Sequence, residues 1–264
     1  MDYTAIQFAK TGAVATLTLN RPDKLNCFTQ VMISEIRHAL DAVAKPDSGV
    51  RCLMITGAGR GFCSGQDLVE AMTHTNGQLP DLGEVVEKSY TPMIRAMREL
   101  EVPILCAVNG IAAGAGAGFA LASDIVLAAR SASFLLPFAK IGLAADGGAT
   151  WTLPRLVGHA RALAMTMLAE AVPAAQAESW GMIWKCIDDA ELMPAAQKMA
   201  AHLANQPTRA LALSKQLLQA STANTLDAQL EMEGKLQTLA GHTEDFREGV
   251  MAFIEKRPAK FVGR

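Results

Sequence analysis

Three apolar runs in the first half of the chain each stop at a glycine-bearing loop, and helical segments separate them. That alternation restricts the fold more than any other feature. "GAVATLTLNRP" predicts a strand ending at Asn20, "VRCLMITGAG" a second strand stopped by Gly57 and Gly59, and "VPILCAVNG" a third stopped by Gly110. Between the first two, "TQVMISEIRHALDAVAK" puts Met32, Ile36, Leu40 and Val43 on one helical face. "GEVVEKSYTPMIRAMREL" also reads as helix, and a Gly/Ala-rich helix is expected from about Ala112. "DIVLAAR" and "SFLLP" add shorter strands. Strands that alternate with helices imply an α/β fold built from crossover units. From about Gly158 the strand signals fade, and the rest reads as helices broken by Pro, Gly or Asn.

Length and composition exclude several functions. The 264 residues suffice for one large domain, or a core with an appendage. Half are apolar and 19% charged, as in a globular chain, and a net charge of −2 leaves no basic field for nucleic acid or a membrane surface. The five cysteines (Cys27, Cys52, Cys63, Cys106, Cys186) form no CxxC pair and no Cys/His metal spacing. They read as reduced cysteines of a cytoplasmic protein that needs no metal. "MDYTAIQFAKTG" carries an acid at position 2 and no long apolar core, so no signal peptide is expected. The most apolar run, Ile104 to Ala122, contains Asn109 and several glycines, and reads as close packing inside a core.

Three features could carry chemistry. Two glycine loops, "TGAGRGFCSGQDL" and "VNGIAAGAGAGFALA", follow the second and third strands. Glycine allows close backbone approach, so such loops either aim N–H groups at a developing oxyanion or only permit tight turns. The third feature is Asp146 in "KIGLAADGGATWTLPR", the sole acid between Asp124 and Glu170. It either caps a helix starting near Thr150 or acts as an acid/base whose pKa rises in apolar surroundings. The five histidines are scattered, no Ser/His/Asp order is recoverable, and Cys63 reads as a packed thiol.

"LNRPDKLNCF", "ITGAGRGFCSGQDL", "AVNGIAAGAGAGFALASDI" and "GLAADGGATWTLPRLVG" together resemble the crotonase (enoyl-CoA hydratase/isomerase) superfamily over essentially the whole chain. The resemblance implies a spiral of ββα units over residues 1–200 and a helical oligomerisation region over 201–264, giving a homotrimer or a dimer of trimers. It implies an acyl-CoA thioester as substrate, with coenzyme A part of that substrate and no separate cofactor. By motif, the N–H groups of Gln66 and Ala115 hold the thioester oxygen. Most relatives have glycine where this chain has Ala115, so an ordinary L-residue conformation is required there. The two glutamates of the family's hydratases fall on Gly118 and Phe138, so ordinary hydration is not expected. Asp146 is the remaining acid in register with a catalytic position. One Asp suits a proton shuttle, and hence isomerisation. By position, Lys24, Leu25 and Ser64 would contact coenzyme A, as would Phe253 and Lys256, which in many members reach in from a neighbouring subunit. "GFCSGQDL", "WGMIW", "NTLDAQL" and "REGVMAFIEKR" resemble most the members that convert ring-1,2-epoxyphenylacetyl-CoA to oxepin-CoA. Shifts of Δ3 double bonds to Δ2 would use the same shuttle. Two alternatives stand beside this: an aryl-CoA dehalogenase with Asp146 as nucleophile and His74 as base, and a non-catalytic acyl-CoA-binding subunit.

Overall fold

Alternating apolar residues at the N-terminus build a hairpin that the sequence reading only half foresaw. In the computed structural model, which describes residues 2–73 and 81–264, β1 (Ile6–Thr11) precedes the expected strand β2 (Val14–Leu19) and pairs with it antiparallel. Gly12, with φ of 60°, supplies the positive dihedral that a two-residue hairpin turn needs. β3 (Cys52–Gly57), β4 (Ile104–Val108), β6 (Ile125–Ala129) and β9 (Lys185–Ile187) then join in parallel, giving a six-stranded sheet in the order β1-β2-β3-β4-β6-β9. A smaller sheet, β5-β7-β8, is made of β5 (Ile111–Ala113), β7 (Ser133–Leu135) and β8 (Val172–Pro173).

Two expectations are corrected here. The Gly/Ala-rich helix starts at Ala115, because Ile111–Ala113 pairs with β7 as strand β5. Strands also persist beyond Gly158. β8 and β9 are two and three residues long, too short for any periodicity to register.

The helix Gln30–Ala44 links β2 to β3 and buries Met32, Ile36, Leu40 and Val43 on the face read from the sequence. Thr29 caps it, its hydroxyl accepting from the Met32 N–H at 3.1 Å. All five residues of β4 are buried, and its Ile104, Leu105 and Val108 each contribute roughly 1.5–3 kcal/mol of burial. The helix Leu192–Ala204 packs on β3, β4 and β6. Lys215, in the helix Thr208–Ala220, donates to the carbonyls of Met97 and Leu100 and to Asp124 Oδ2 at 3.0–3.2 Å, tying the tail to the core. The next helix, Leu226–Gly241, buries none of its residues within the chain.

Register positions the site. Leu19 lies opposite Gly57, and Thr56 opposite Ala107, so β2, β3 and β4 end level. The loops that follow them therefore leave one edge of the sheet together, where parallel α/β sheets place their ligands.

Candidate active site

The three loops are stitched to one another by backbone. Phe28 N–H donates to Gly65 O (2.7 Å), Asp67 N–H to Phe28 O (2.9 Å) and Ala113 N–H to Cys63 O (2.8 Å). Glycine is required at the crossing. Gly65 has φ of 95°, and a Cβ there would meet the Ala113 carbonyl oxygen at 3.0 Å. Gly114, at φ 54°, lies against it, since a Cβ on Gly114 would fall 3.9 Å from Gly65 Cα. The residues that follow these two glycines are Gln66 and Ala115. The N–H groups of both donate to nothing among the described residues. Ala115 opens the helix Ala115–Leu121, where an orphan N–H is intrinsic, and it has no positive φ, so the side chain is accommodated.

Asp146 sits on the turn that packs against that helix, as a Cβ on the next residue, Gly147, would lie 3.4 Å from Ala115 Cα. The capping role is not realised. The helix Ala149–Val157 is capped by Gly148 without a side-chain bond, and only the backbone carbonyl of Asp146 accepts, from Ala149 N–H at 3.1 Å. Asp146 Oδ1 is buried and has no partner among the described residues. Desolvation pushes the carboxyl up to about 6. A poorly solvated carboxylate titrating near neutrality is an effective proton acceptor and donor.

A cleft of about 100 Å³ gathers these groups. Ser64, Gln66, Ala115, Phe138 and Asp146 line it together with apolar residues, and Asp146 is its sole acid among the described residues. Lys24 and Leu25 sit at its edge: Leu25 O accepts from Ser64 N–H at 3.0 Å, and Lys24 is exposed. Phe253 and Lys256 do not line it. They lie in and just beyond the helix Glu244–Ile254, with Phe253 85% exposed. Cys63 is fully buried, its thiol pushed up to about 12 by desolvation, which rules it out as a nucleophile. His74 and residues 75–80 lie outside the described residues; Leu82, Val85 and Val86, just beyond them, line the cleft.

Sequence reasoning missed two features. Arg21 Nη2 bonds Asp67 Oδ2 at 3.0 Å and Arg21 Nη1 bonds Cys27 O at 2.7 Å, which clamps the residue next to Gln66. Burial pushes the Asp67 carboxyl up, but the Glu70 N–H, Arg21 and Cys27 outweigh it and hold the pKa low. Tyr90 is buried with its hydroxyl unpartnered. The signal for Asp67 was its place in "SGQDL"; for Tyr90 it was a tyrosine in a chain that has two.

A family model for enoyl-CoA hydratase/isomerase matches residues 9–264. The chain belongs to the enoyl-CoA hydratase/isomerase family. It is 50% identical over 251 residues to the 1,2-epoxyphenylacetyl-CoA isomerase of Escherichia coli K12, covering 95% of each chain. It is 32% identical to the trans-2-decenoyl-[acyl-carrier-protein] isomerase of Streptococcus mutans, covering all of both. A solved enoyl-CoA hydratase from Polaromonas sp. JS666 superposes with a TM-score of 0.90 at 31% identity, covering 98% of this chain and all of that one. At Gly118, the first position where the resemblance puts a hydratase glutamate, a side chain meets a steric bar. A Cβ on Gly118 would come within 2.5 Å of the Gly147 carbonyl oxygen. Phe138, only 8% exposed, fills the second position with an apolar ring.

Proposed function

We propose that this family member is an acyl-CoA isomerase that converts ring-1,2-epoxyphenylacetyl-CoA to oxepin-CoA in aerobic phenylacetate breakdown, and that it also moves Δ3 double bonds of enoyl-CoA to Δ2. The observation that carries this reading is the single desolvated carboxylate of Asp146 in a cleft shared with the unoccupied N–H groups of Gln66 and Ala115. The thioester oxygen accepts from both N–H groups, which stabilise the negative charge that develops as a neighbouring C–H is deprotonated. Asp146 takes that proton and returns it to a carbon further along the acyl group, so one carboxyl serves as base and then acid; in the epoxide, the ring carbon–carbon bond under the oxygen breaks as the double bonds shift, giving the seven-membered oxepin with no atom gained or lost. Hydration needs a second carboxylate to hold water, and the cleft has an apolar ring at Phe138 instead.

Coenzyme A enters as part of the substrate, with the backbone of Lys24 and Leu25 beside it, the backbone of Ser64 meeting the adenine, and no separate cofactor. Phe253 and Lys256 serve the nucleotide end from a neighbouring subunit. A homotrimer, alone or paired, is supported by exposed Leu226, Leu230, Phe246, Val250 and Phe253 on the tail helices, and a cytoplasmic setting by five free, buried cysteines. The test is turnover of enzymatically prepared epoxyphenylacetyl-CoA by the wild type and by Asp146→Asn. Oxepin-CoA formed by the first and not the second is expected; equal turnover by a folded Asp146→Asn protein refutes the role of Asp146.

A further inference from the structure

Among the described residues, two buried polar atoms near the cleft have no hydrogen-bond partner: Asp146 Oδ1 and the Tyr90 hydroxyl. Such groups are rare, because each forfeits its hydrogen bonds to water. Chain geometry brings them to the same side of the cleft, and the Asp146 charge acts on the Tyr90 hydroxyl. Tyr90 ends the π turn Val86–Tyr90, whose first residue lines the cleft, and the helix Thr91–Glu99 continues from it. One turn on, Ile94 shares a face with Tyr90 and packs on the Asp146 turn, since a Cβ on Gly148 would lie 3.3 Å from Ile94 Cγ2. The Tyr90 ring is fixed edge-on against Phe28, with centroids 6.0 Å apart. The charged or titratable groups that act on the hydroxyl are Asp146, Cys63, Glu70 and Cys27; burial and the Asp146 charge keep the phenol protonated, hence a donor. No direct hydrogen bond joins Tyr90 to Asp146.

We propose that Tyr90 is a positioning residue for Asp146: its hydroxyl holds Oδ1 through one bridging water and leaves Oδ2 to face the substrate. A site of this kind suits a buried water, which typically bridges otherwise unsatisfied polar groups. The inference rests on Asp146 being the acid/base. Its consequence is a lower Asp146 pKa than burial alone would set, because a hydrogen bond donated to a carboxylate favours the charged form.

The test compares wild type with Tyr90→Phe, which keeps the ring. The Asp146 carboxyl is titrated by 13C NMR in protein labelled at aspartate, its signal assigned by loss in Asp146→Asn. Tyr90→Phe is expected to raise that pKa by about one unit and to lower kcat roughly tenfold with KM little changed, the scale of one hydrogen bond to a charged group. In the Asp146→Asn background the same change is expected to have no further effect on turnover. An unchanged pKa overturns the inference, as does an equal loss in both backgrounds. Should Tyr90→Phe not fold, protein labelled with 3-fluorotyrosine decides. Its more acidic phenol is a stronger donor and should move the Asp146 titration to lower pH. The one other tyrosine, Tyr3, bonds His38 at 2.8 Å, so Tyr3→Phe serves as control. Wild-type turnover tests the proposed reaction, whereas the titration tests Tyr90 whatever the substrate.

Discussion

Asp146→Asn should make the protein more stable while removing most of its activity. The folded carboxyl titrates at about 6 against 3.8 for the free group. That difference, at ~1.4 kcal/mol per pKa unit, sets a ceiling of about 3 kcal/mol on the cost of ionising Asp146 in the fold. The side chain is partly exposed, and solvent screening reduces the expected cost to about 1–2 kcal/mol. The sign follows from the direction of the shift. A carboxyl whose folded pKa is raised is best tolerated in its protonated form, so its contribution is complete below pH 3.8 and is lost as pH rises through about 6. The wild type therefore bears the full penalty at pH 8, and the neutral amide removes it. Urea unfolding at fixed protein concentration, at pH 5 and pH 8, measures the gap. Asp146→Asn should be ahead at pH 8 by about 1–2 kcal/mol, with a lead that is smaller at pH 5 and flat above pH 7.5. The same variant should lose ~10²–10⁴-fold in isomerase turnover. A variant no more stable than wild type at pH 8, or a lead that does not change with pH, would refute the claim that burial strains this carboxylate.

Ala115→Pro removes one N–H at the first position of a helix, where proline is tolerated. It should lower kcat by about 10²–10³ with little change in Tm, measured by turnover and thermal melting. Gly118→Glu should yield no hydratase. The Cβ clash with the Gly147 carbonyl should cost ~1–3 kcal/mol and displace Asp146, read as loss of isomerisation without hydration of crotonyl-CoA. Lys215→Met removes the donor to Asp124 and to the carbonyls of Met97 and Leu100, and should destabilise by about 1–3 kcal/mol in urea unfolding.

Apolar periodicity carried the main sheet and the long helices into view, because burial on one face writes itself into spacing. β5 and β8 stayed hidden for the opposite reason: they are too short to repeat, and their pairing is fixed by strands distant in sequence. At the site, the glycines of "CSGQ" and "AAGAG" announced close backbone approach, but not that the next N–H groups are both free. Asp146 read alone as a cap, since a loop Asp before a helix usually is one; a glycine at φ 76° fills that place instead. Tyr90 was illegible, because only the packing of Ile94 against Gly148 relates residues 90 and 146.

The contact at Gly118 constrains the order in which this chemistry can change hands. With the Gly147 carbonyl 2.5 Å from where a Cβ would stand, no single substitution restores a glutamate at 118. The 146–148 turn must move first, and moving it would displace the carboxyl proposed as the acid/base. A glutamate at 118 and the present seat of Asp146 therefore exclude one another in this fold.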